Sequence, residues 1–117
     1  AVAAFPACAG AAAVVWGSRI LVVGGHVKGG AGAGCDVWVL EISTVGGVVC
    51  SRLEVGGDKA QHPASRGGHT ATMIPGSNKV VVFGGEDKRG RLLNDVHVLD
   101  LDAMEWSSSS SAAAAAA

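Results

Sequence analysis

The sequence lacks the residues on which several large functional classes depend. It contains no tyrosine, and its 9 basic and 10 acidic residues leave a net charge of −1. Without a basic excess, the chain has no overall charge that would attract nucleic acid or anionic lipid. No apolar run reaches the ~20 residues that a membrane-spanning helix needs. We therefore expect neither a nucleic-acid-binding protein nor a membrane protein.

Cysteine is also scarce. Cys8, Cys35 and Cys50 are far apart and odd in number, and no C-x-x-C pair is present. The sequence therefore predicts neither a zinc site nor a redox motif. Unpaired cysteines are typical of a reducing compartment, so we expect a cytoplasmic location. The apolar residues 1–15 lack a positive leading region, and we interpret them as part of the domain rather than as a signal peptide.

Sequence motifs of enzymes are missing as well. The glycines of residues 24–34 do not have the G-x-G-x-x-G spacing of a dinucleotide site. The segment "GEDKRGR", residues 85–91, has the glycine spacing of a P-loop but lacks its Lys-Ser/Thr pair. No Gly-x-Ser-x-Gly elbow occurs, and the four histidines form no ligand set with carboxylates or cysteines. We expect no catalytic residue, no metal and no cofactor. His69 and His97 fall in predicted strands and His26 and His62 in loops, where we expect the latter two to be solvated.

The sequence does contain an internal repeat. The glycine pairs Gly24-Gly25 and Gly84-Gly85 are 60 residues apart, and each follows an apolar run, "ILVV" or "VVVF". After each pair comes a polar, glycine-containing loop and then a second apolar run, "DVWVLEI" or "DVHVLDL". The same order of segments, found twice, indicates two copies of one structural unit.

Neighbouring segments complete the unit. "AAAVVW" precedes the first glycine pair across a "GS" turn, and "HTATMI" precedes the second across "PGSN". Such turns between β-rich runs predict hairpins. The last strand contains "MEW" in the second unit and Val48-Val49 in the first. Each unit is predicted to be strand, turn, strand, Gly-Gly, loop, strand, turn, strand. Both faces of the run from Asp95 are largely apolar, which is typical of a sheet covered on both sides.

These residues resemble the kelch repeat, a four-stranded β-propeller blade of about 50 residues. In that pattern a hydrophobic strand ends in a glycine pair, an aromatic residue (usually tyrosine) lies in the third strand, and a tryptophan lies in the fourth. The second unit matches through Gly84, Gly85 and Trp106, with His97 at the tyrosine position and "RGGHTA" beginning at Arg66. Its amino-acid sequence is particularly similar to kelch repeats of plant and algal acyl-CoA-binding proteins.

The first unit matches the same pattern less completely. Gly24 and Gly25 are present, and Trp38 takes the place of tyrosine. No tryptophan occurs in the fourth strand, and Cys8 and Ala11 stand where the second unit has its arginine and histidine. We expect the three tryptophans to pack in the core between blades rather than to bind a ligand. We expect the glycine pairs to lie where a side chain would collide with neighbouring backbone and where a positive φ is needed.

The resemblance implies an all-β fold of two four-stranded antiparallel kelch blades that form an incomplete β-propeller. The predicted division is a first repeat at residues 1–50, a connection at 51–65, a second repeat at 66–107 and a disordered Ser/Ala tail at 108–117. Propellers usually close with ~4–8 blades. We therefore expect a fragment of a larger propeller, with further kelch blades supplied by the same or another chain.

The function that the resemblance implies is a non-catalytic scaffold that binds a protein partner through its rim loops. The most charged loop supplies the candidate binding residues: Glu86, Asp87, Lys88, Arg89 and Arg91. The alternative for this loop is ordinary solvation. Two other functions stay open, the kelch portion of a larger acyl-CoA-binding protein and an accessory propeller domain of an enzyme. Copper-radical oxidases share the kelch architecture but need tyrosine, which this chain lacks.

Overall fold

The part of the chain that the structure describes contains ten β-strands and one short 3-10 helix. This structure is a computed structural model, and it describes Phe5, residues 7–27 and residues 34–108. The strands are β1 (Cys8–Ala9), β2 (Ala12–Trp16), β3 (Arg19–Val23), β4 (His26–Val27), β5 (Val37–Ile42), β6 (Val48–Arg52), β7 (Thr70–Met73), β8 (Lys79–Phe83), β9 (Val96–Asp100) and β10 (Glu105–Ser108). The 3-10 helix is Lys59–Gln61, and the Asp58 side chain caps it by accepting from the Ala60 N–H.

The first four-stranded sheet has the order β2-β3-β5-β6, with every neighbouring pair antiparallel. β2 and β3 form a tight hairpin in which Trp16 pairs with Arg19. Gly17 has a φ of +60° in the two-residue turn, a conformation that glycine adopts without steric cost. Leu21 and Val39 are directly opposed across β3 and β5, and their side chains are buried.

The second sheet repeats this arrangement with the order β7-β8-β9-β10. The "PGSN" turn joins β7 to β8, and the Ile74 N–H donates to the Lys79 carbonyl at its base. Val80 and Leu99 oppose each other across β8 and β9 and are fully buried. The prediction of two four-stranded antiparallel blades in an all-β fold is confirmed, and the sheets are not closed into a ring.

The two sheets pack through one face each. The first contributes Leu21, Val23 and Val39, and the second contributes Leu99 and Trp106, among other residues. β2 and β7 are the strands of the two sheets that contact each other most closely. Full burial of an aliphatic side chain of this kind stabilises a fold by about 1.5–3 kcal/mol. The shared core therefore makes the two sheets one packed unit.

The opposite faces of the sheets are largely uncovered within the described residues. On the first sheet Val15, Ile42 and Val48 are well exposed, and on the second Phe83 is half-exposed. Apolar residues therefore lie on both faces of the strands, as predicted, but each sheet buries only one of its faces against the other sheet. An uncovered apolar sheet face is typical of a surface that meets another element.

The observed strand ends differ by one or two residues from the predicted boundaries of the repeats. β6 continues to Arg52, so two residues assigned to the connection pair with β5. β10 ends at Ser108, the first residue of the predicted tail. Residues 109–117 lie outside the described residues, and the division into repeats stays a prediction. The short pairing of β1 with β4, which joins Cys8 to Val27, was not expected from the sequence.

Candidate functional site

One short segment connects both glycine pairs. We call residues 63–69, which precede β7, the seam segment. The Gly25 N–H donates to the Arg66 carbonyl over 2.7 Å. The Arg66 guanidinium donates in turn to the Gly84 carbonyl over 3.1 Å. The end of β3 in the first sheet and the end of β8 in the second are thus bound to the same four residues of "RGGH".

Arg66 is a fully buried cation in which each of the three guanidinium nitrogens has a hydrogen-bond partner. Its guanidinium donates to the two carboxylate oxygens of Asp95 over 2.6 and 2.8 Å, and its Nε donates to the Ala64 carbonyl. His97 Nε2 lies 2.7 Å from the same carboxylate. The hydrogen bonds from Arg66 hold the pKa of Asp95 far below its usual range. A bidentate pair of this kind compensates a buried charge that would otherwise be costly, so the geometry of Arg66 and His97 is that of structural residues.

His69 forms the second polar contact of the seam. Its Nε2 lies 2.7 Å from the Val23 carbonyl oxygen, and because a carbonyl only accepts, Nε2 is the donor. Its Nδ1 has no hydrogen-bond partner within the described residues. Burial lowers the pKa of His69, and the nearby positive charge of Arg66 acts in the same direction. The ring is therefore a neutral donor that joins the second blade to β3 of the first.

All four glycines of the two pairs have the predicted positive φ, and the predicted collision with neighbouring backbone is found at Gly85. Their φ angles are +70° and +93° at Gly24 and Gly25, and +70° and +90° at Gly84 and Gly85. A Cβ atom at Gly24 would lie 2.6 Å from Cε1 of His69. A Cβ atom at Gly85 would lie 2.7 Å from the Gly67 carbonyl oxygen, which is backbone and cannot rotate away. Both pairs are therefore places where the chain leaves a strand against closely packed neighbours.

The tryptophans do not all lie between the blades. Trp106 is buried in the shared core with its ring edge-on to His97, and Trp16 packs against that core beneath the Arg19 guanidinium. Trp38 lies on the opposite face of the first sheet, where its ring is 5.3 Å from that of Phe5. Trp106 and Trp16 therefore lie at the core between the two described sheets, and Trp38 does not. Trp38 lies between the buried Val37 and Val39 along β5. Because successive strand residues point to opposite faces, its side chain lies on the uncovered face.

The two histidines that were expected to be solvated are partly buried. His26 lies in β4, and its ring covers Gly67, where a Cβ atom would come within 2.5 Å of Cδ2. His62 Nε2 lies 2.9 Å from the Gly56 carbonyl oxygen. The expectation was wrong because both loops fold back onto the seam or the neighbouring connection. Neither contact is visible in the local sequence.

The candidate binding residues form one ordered loop, which we call the rim loop (residues 86–91). The Asp87 carboxylate accepts from the backbone N–H groups of Arg89 and Arg91 and from Arg91 Nε, over 2.8–3.0 Å. Its side chain is only 14% exposed. These bonds, above all that from the Arg91 backbone, lower the pKa of Asp87. Glu86 fixes the base of the loop, since its backbone N–H and C=O both bond to Gly67.

The rim loop forms a ridge between two clefts. One cleft, of about 300 Å³, is lined by Ala64, Ser65, Asp87, Lys88, Arg89 and Arg91. The other, of about 440 Å³, is lined by His26, Val27, Glu86, Asp87, Lys88 and Gly90. The structure thus brings the five candidate residues together beside the seam, although whether they bind a partner stays a prediction. The inward position of Asp87 was missed, although an aspartate that begins a turn and has an arginine at i+4 is a recognisable signal.

The described residues contain no group of three or more His, Cys, Asp or Glu side chains that could hold a metal ion. Among the described residues, no helix has the length and apolar character to cross a membrane.

Two repeated sheets of four antiparallel strands, joined at glycine-paired strand ends, define a pair of β-propeller blades. The model of the KLHDC2/KLHL20/DRC7 Kelch-repeats domain matches residues 10–116. The chain belongs to the kelch-repeat family. A solved structure of YjhT shares the fold, with a TM-score of 0.57 at 17% sequence identity over 92% of this chain and 28% of that one.

Several curated proteins are similar in sequence. Acyl-CoA-binding domain-containing protein 4 of Arabidopsis thaliana is 38% identical over 99 residues, and protein 6 of Oryza sativa subsp. japonica is 34% identical over 99 residues. Both alignments cover 85% of this chain and 14% of the relative. Dynein regulatory complex subunit 7 of Chlamydomonas reinhardtii is 40% identical over 48 residues, which is 41% of this chain and 4% of that protein. The chain therefore spans a small part of the relatives that it matches.

Proposed function

We propose that this chain is a non-catalytic protein-interaction module that binds its partner through the rim loop. The observation that supports this is the position of Asp87, whose carboxylate is bonded within the loop while Lys88, Arg89 and Arg91 are exposed. The outer surface of the loop is therefore mainly cationic, although its sequence is mixed in charge.

The loop is also held in one conformation. Glu86 pairs with Gly67 of the seam segment, and Asp87 closes the turn that follows. A binding loop that is ordered beforehand loses less conformational entropy when a partner docks. Cationic groups on such a loop favour a partner with an acidic surface, since complementary charge steers encounter and fixes orientation.

The test reverses the charges of two exposed cations of the rim loop. The double substitution Lys88→Glu and Arg89→Glu is expected to abolish or strongly weaken capture of the partner in a pull-down with the chain as bait. Arg91 is left unchanged, because a glutamate there would stand beside Asp87 and disturb the loop itself. Lys59→Glu is the matched control, since Lys59 is an exposed cation in the 3-10 helix, outside the rim loop. Equal capture by the wild type and the double variant, with unchanged circular dichroism, contradicts the assignment.

A second candidate is supported by the sequence relatives, which are named as acyl-CoA-binding domain-containing proteins. On this hypothesis the chain is the kelch portion of a larger protein whose ligand chemistry lies in another domain. Calorimetric titration with an acyl-CoA is then expected to give no binding heat with this chain and a saturable heat with the full-length protein. Saturable binding by the 117-residue chain alone contradicts this division of labour.

A further inference from the structure

The cleft between the rim loop and the seam segment concentrates positive charge. Its volume is about 300 Å³, and it is lined by Ala64, Ser65, Asp87, Lys88, Arg89 and Arg91. Three of these residues are cations and one is a carboxylate, so the lining has a net charge of +2. The whole chain has a net charge of −1, which makes this excess of positive charge local. We call this surface the cationic cleft.

Several donor groups of the cationic cleft are available to a ligand. Arg91 uses Nε to bond the Asp87 carboxylate over 2.8 Å, and its side chain is 70% exposed. Within the described residues, the terminal nitrogens of Arg91, the guanidinium of Arg89 and the hydroxyl of Ser65 have no hydrogen-bond partner. Because the Nε bond holds the Arg91 guanidinium in place, its outer nitrogens are oriented before a ligand arrives.

The one carboxylate of the lining is neutralised by its own loop. Asp87 accepts from the backbone N–H groups of Arg89 and Arg91 as well as from Arg91 Nε, and its side chain is only 14% exposed. Lys88, Arg89 and Arg91 are exposed. An anion that enters the cleft therefore meets the cations first, and the Asp87 charge is directed into the rim loop.

We infer that the cationic cleft binds a phosphate group carried by a serine or threonine side chain of the protein partner. A phosphate monoester has a charge of about −1.5 to −2 at pH 7 and three oxygens that accept strong hydrogen bonds. Arg89, Arg91 and Ser65 offer a donor group for each oxygen, and a guanidinium can pair with two of them at once. A carboxylate has a single charge and two oxygens, which would leave a cation and a donor of the cleft unmatched.

Other carriers of a phosphate group fit the cationic cleft less well. A nucleotide needs an aromatic surface on which its base can stack, and none of the described lining residues is aromatic. A membrane surface would meet the whole chain, which has no excess of basic residues. The inference rests on the proposed function, since the partner docks on the same rim loop, and it narrows that function to partners that are phosphorylated.

The test titrates the blocked tripeptide acetyl-glycyl-phosphoseryl-glycine amide into the isotope-labelled chain at constant ionic strength and follows backbone amide shifts by NMR. We expect saturable shifts at Ser65, Arg89 and Arg91. The same peptide with glutamate in place of phosphoserine is expected to bind about tenfold more weakly, because it forms one fewer charge-assisted hydrogen bond. The peptide with unmodified serine is expected not to bind.

Three variants locate the binding. Arg89→Gln removes a guanidinium that has no partner among the described residues, so we expect about a tenfold loss of affinity for the phosphopeptide with unchanged circular dichroism. Ser65→Ala is expected to lower the affinity by about threefold, since a neutral hydroxyl contributes less than a cation. Lys59→Gln, which removes an exposed cation outside the cleft, is the matched control and is expected to leave the affinity unchanged.

Four results overturn the inference. They are the absence of shifts at millimolar phosphopeptide, equal affinity for the phosphoserine and glutamate peptides, unchanged affinity in Arg89→Gln, and binding to phosphoinositide-containing vesicles without binding to the peptide. Failure here is distinguishable from failure of the proposed function. The peptide titration needs no partner, and charge reversal of the rim loop would still abolish capture of an acidic partner that carries no phosphate.

Discussion

The fully buried guanidinium of Arg66 holds both carboxylate oxygens of Asp95, at 2.6 and 2.8 Å, and so ties the seam segment to the residue before β9. The corresponding aspartate of the first repeat, Asp36, pairs with Arg52 at the sheet surface instead. One repeat thus has an internal ion pair and the other an exposed one, although their strands are arranged alike.

Removal of the Asp95 carboxylate is predicted to destabilise the protein strongly. Asp95→Ala leaves the Arg66 charge buried with only carbonyl partners, and loss of one member of a buried pair typically costs about 3–5 kcal/mol. Because Asp95 itself is partly exposed, we expect the lower end of that range. Urea unfolding measures the effect. Asp36→Ala is the matched control, and its surface pair is expected to contribute below ~1 kcal/mol. Equal losses in the two variants would contradict a special role for the buried pair.

Stability is predicted to fall as the pH drops from 7 towards 5.5. Burial lowers the pKa of His69 below the value of 6.5 for an unperturbed histidine. Above pH 6.5 His69 is neutral in both the folded and the unfolded chain, and its full contribution to the free energy of unfolding is present. Below it the unfolded chain takes up a proton that the folded chain resists, so the free energy of unfolding decreases. The measurement is the urea midpoint against pH for the wild type and His69→Gln. An identical slope for the two proteins over this range would exclude His69 as the cause.

Substitution at Gly85 is predicted to cost more than substitution at a free turn glycine. Gly46 has a φ of +94° with nothing within 4 Å of a built Cβ, so Gly46→Ala carries only the conformational cost, about 1–2 kcal/mol. Gly85 has nearly the same φ, but its Cβ would lie 2.7 Å from the Gly67 carbonyl oxygen. Gly85→Ala is therefore expected to exceed Gly46→Ala by at least ~1 kcal/mol in thermal or urea unfolding. Equal costs would show that the close contact relaxes freely.

Cys35 is predicted to be unreactive in the folded protein. Burial raises the pKa of its thiol to about 12, so the nucleophilic thiolate is essentially absent at pH 8. Reaction with an aromatic disulfide reagent at pH 8 should leave one thiol unmodified until denaturant is added. Cys35→Ser is expected to remove that protected thiol and to leave the accessible signal unchanged. Rapid modification of all three cysteines in native buffer would contradict this.

Local patterns were sufficient to predict the blades. Glycine pairs, alternating apolar residues and short turns specify the hairpins, and the same order found twice specifies two like sheets. The pairing of Arg66 with Asp95 was not predictable, because the two residues are 29 apart and only the folded β8 hairpin brings them together. The partial burial of His26 likewise depends on a distant residue, Gly67, which is 41 positions further along the chain.

The direction of the side chains in the rim loop was also not predictable from the sequence. The sequence shows two acidic and three basic residues in residues 86–91, but not which of these side chains point outward. The structure has Asp87 bonded inward, which leaves an outer surface that is mainly cationic. Charge counts do not contain this information, because it depends on which side chain closes the turn.

The most direct test of the seam compares hydrogen exchange at two equivalent glycine amides, Gly25 and Gly85. Gly25 is buried and donates to the Arg66 carbonyl, whereas Gly85 has no backbone acceptor within the described residues. We predict strong protection of the Gly25 amide and fast exchange at Gly85. Equal protection at the two positions, or fast exchange at Gly25, would contradict the claim that residues 63–69 join the two blades.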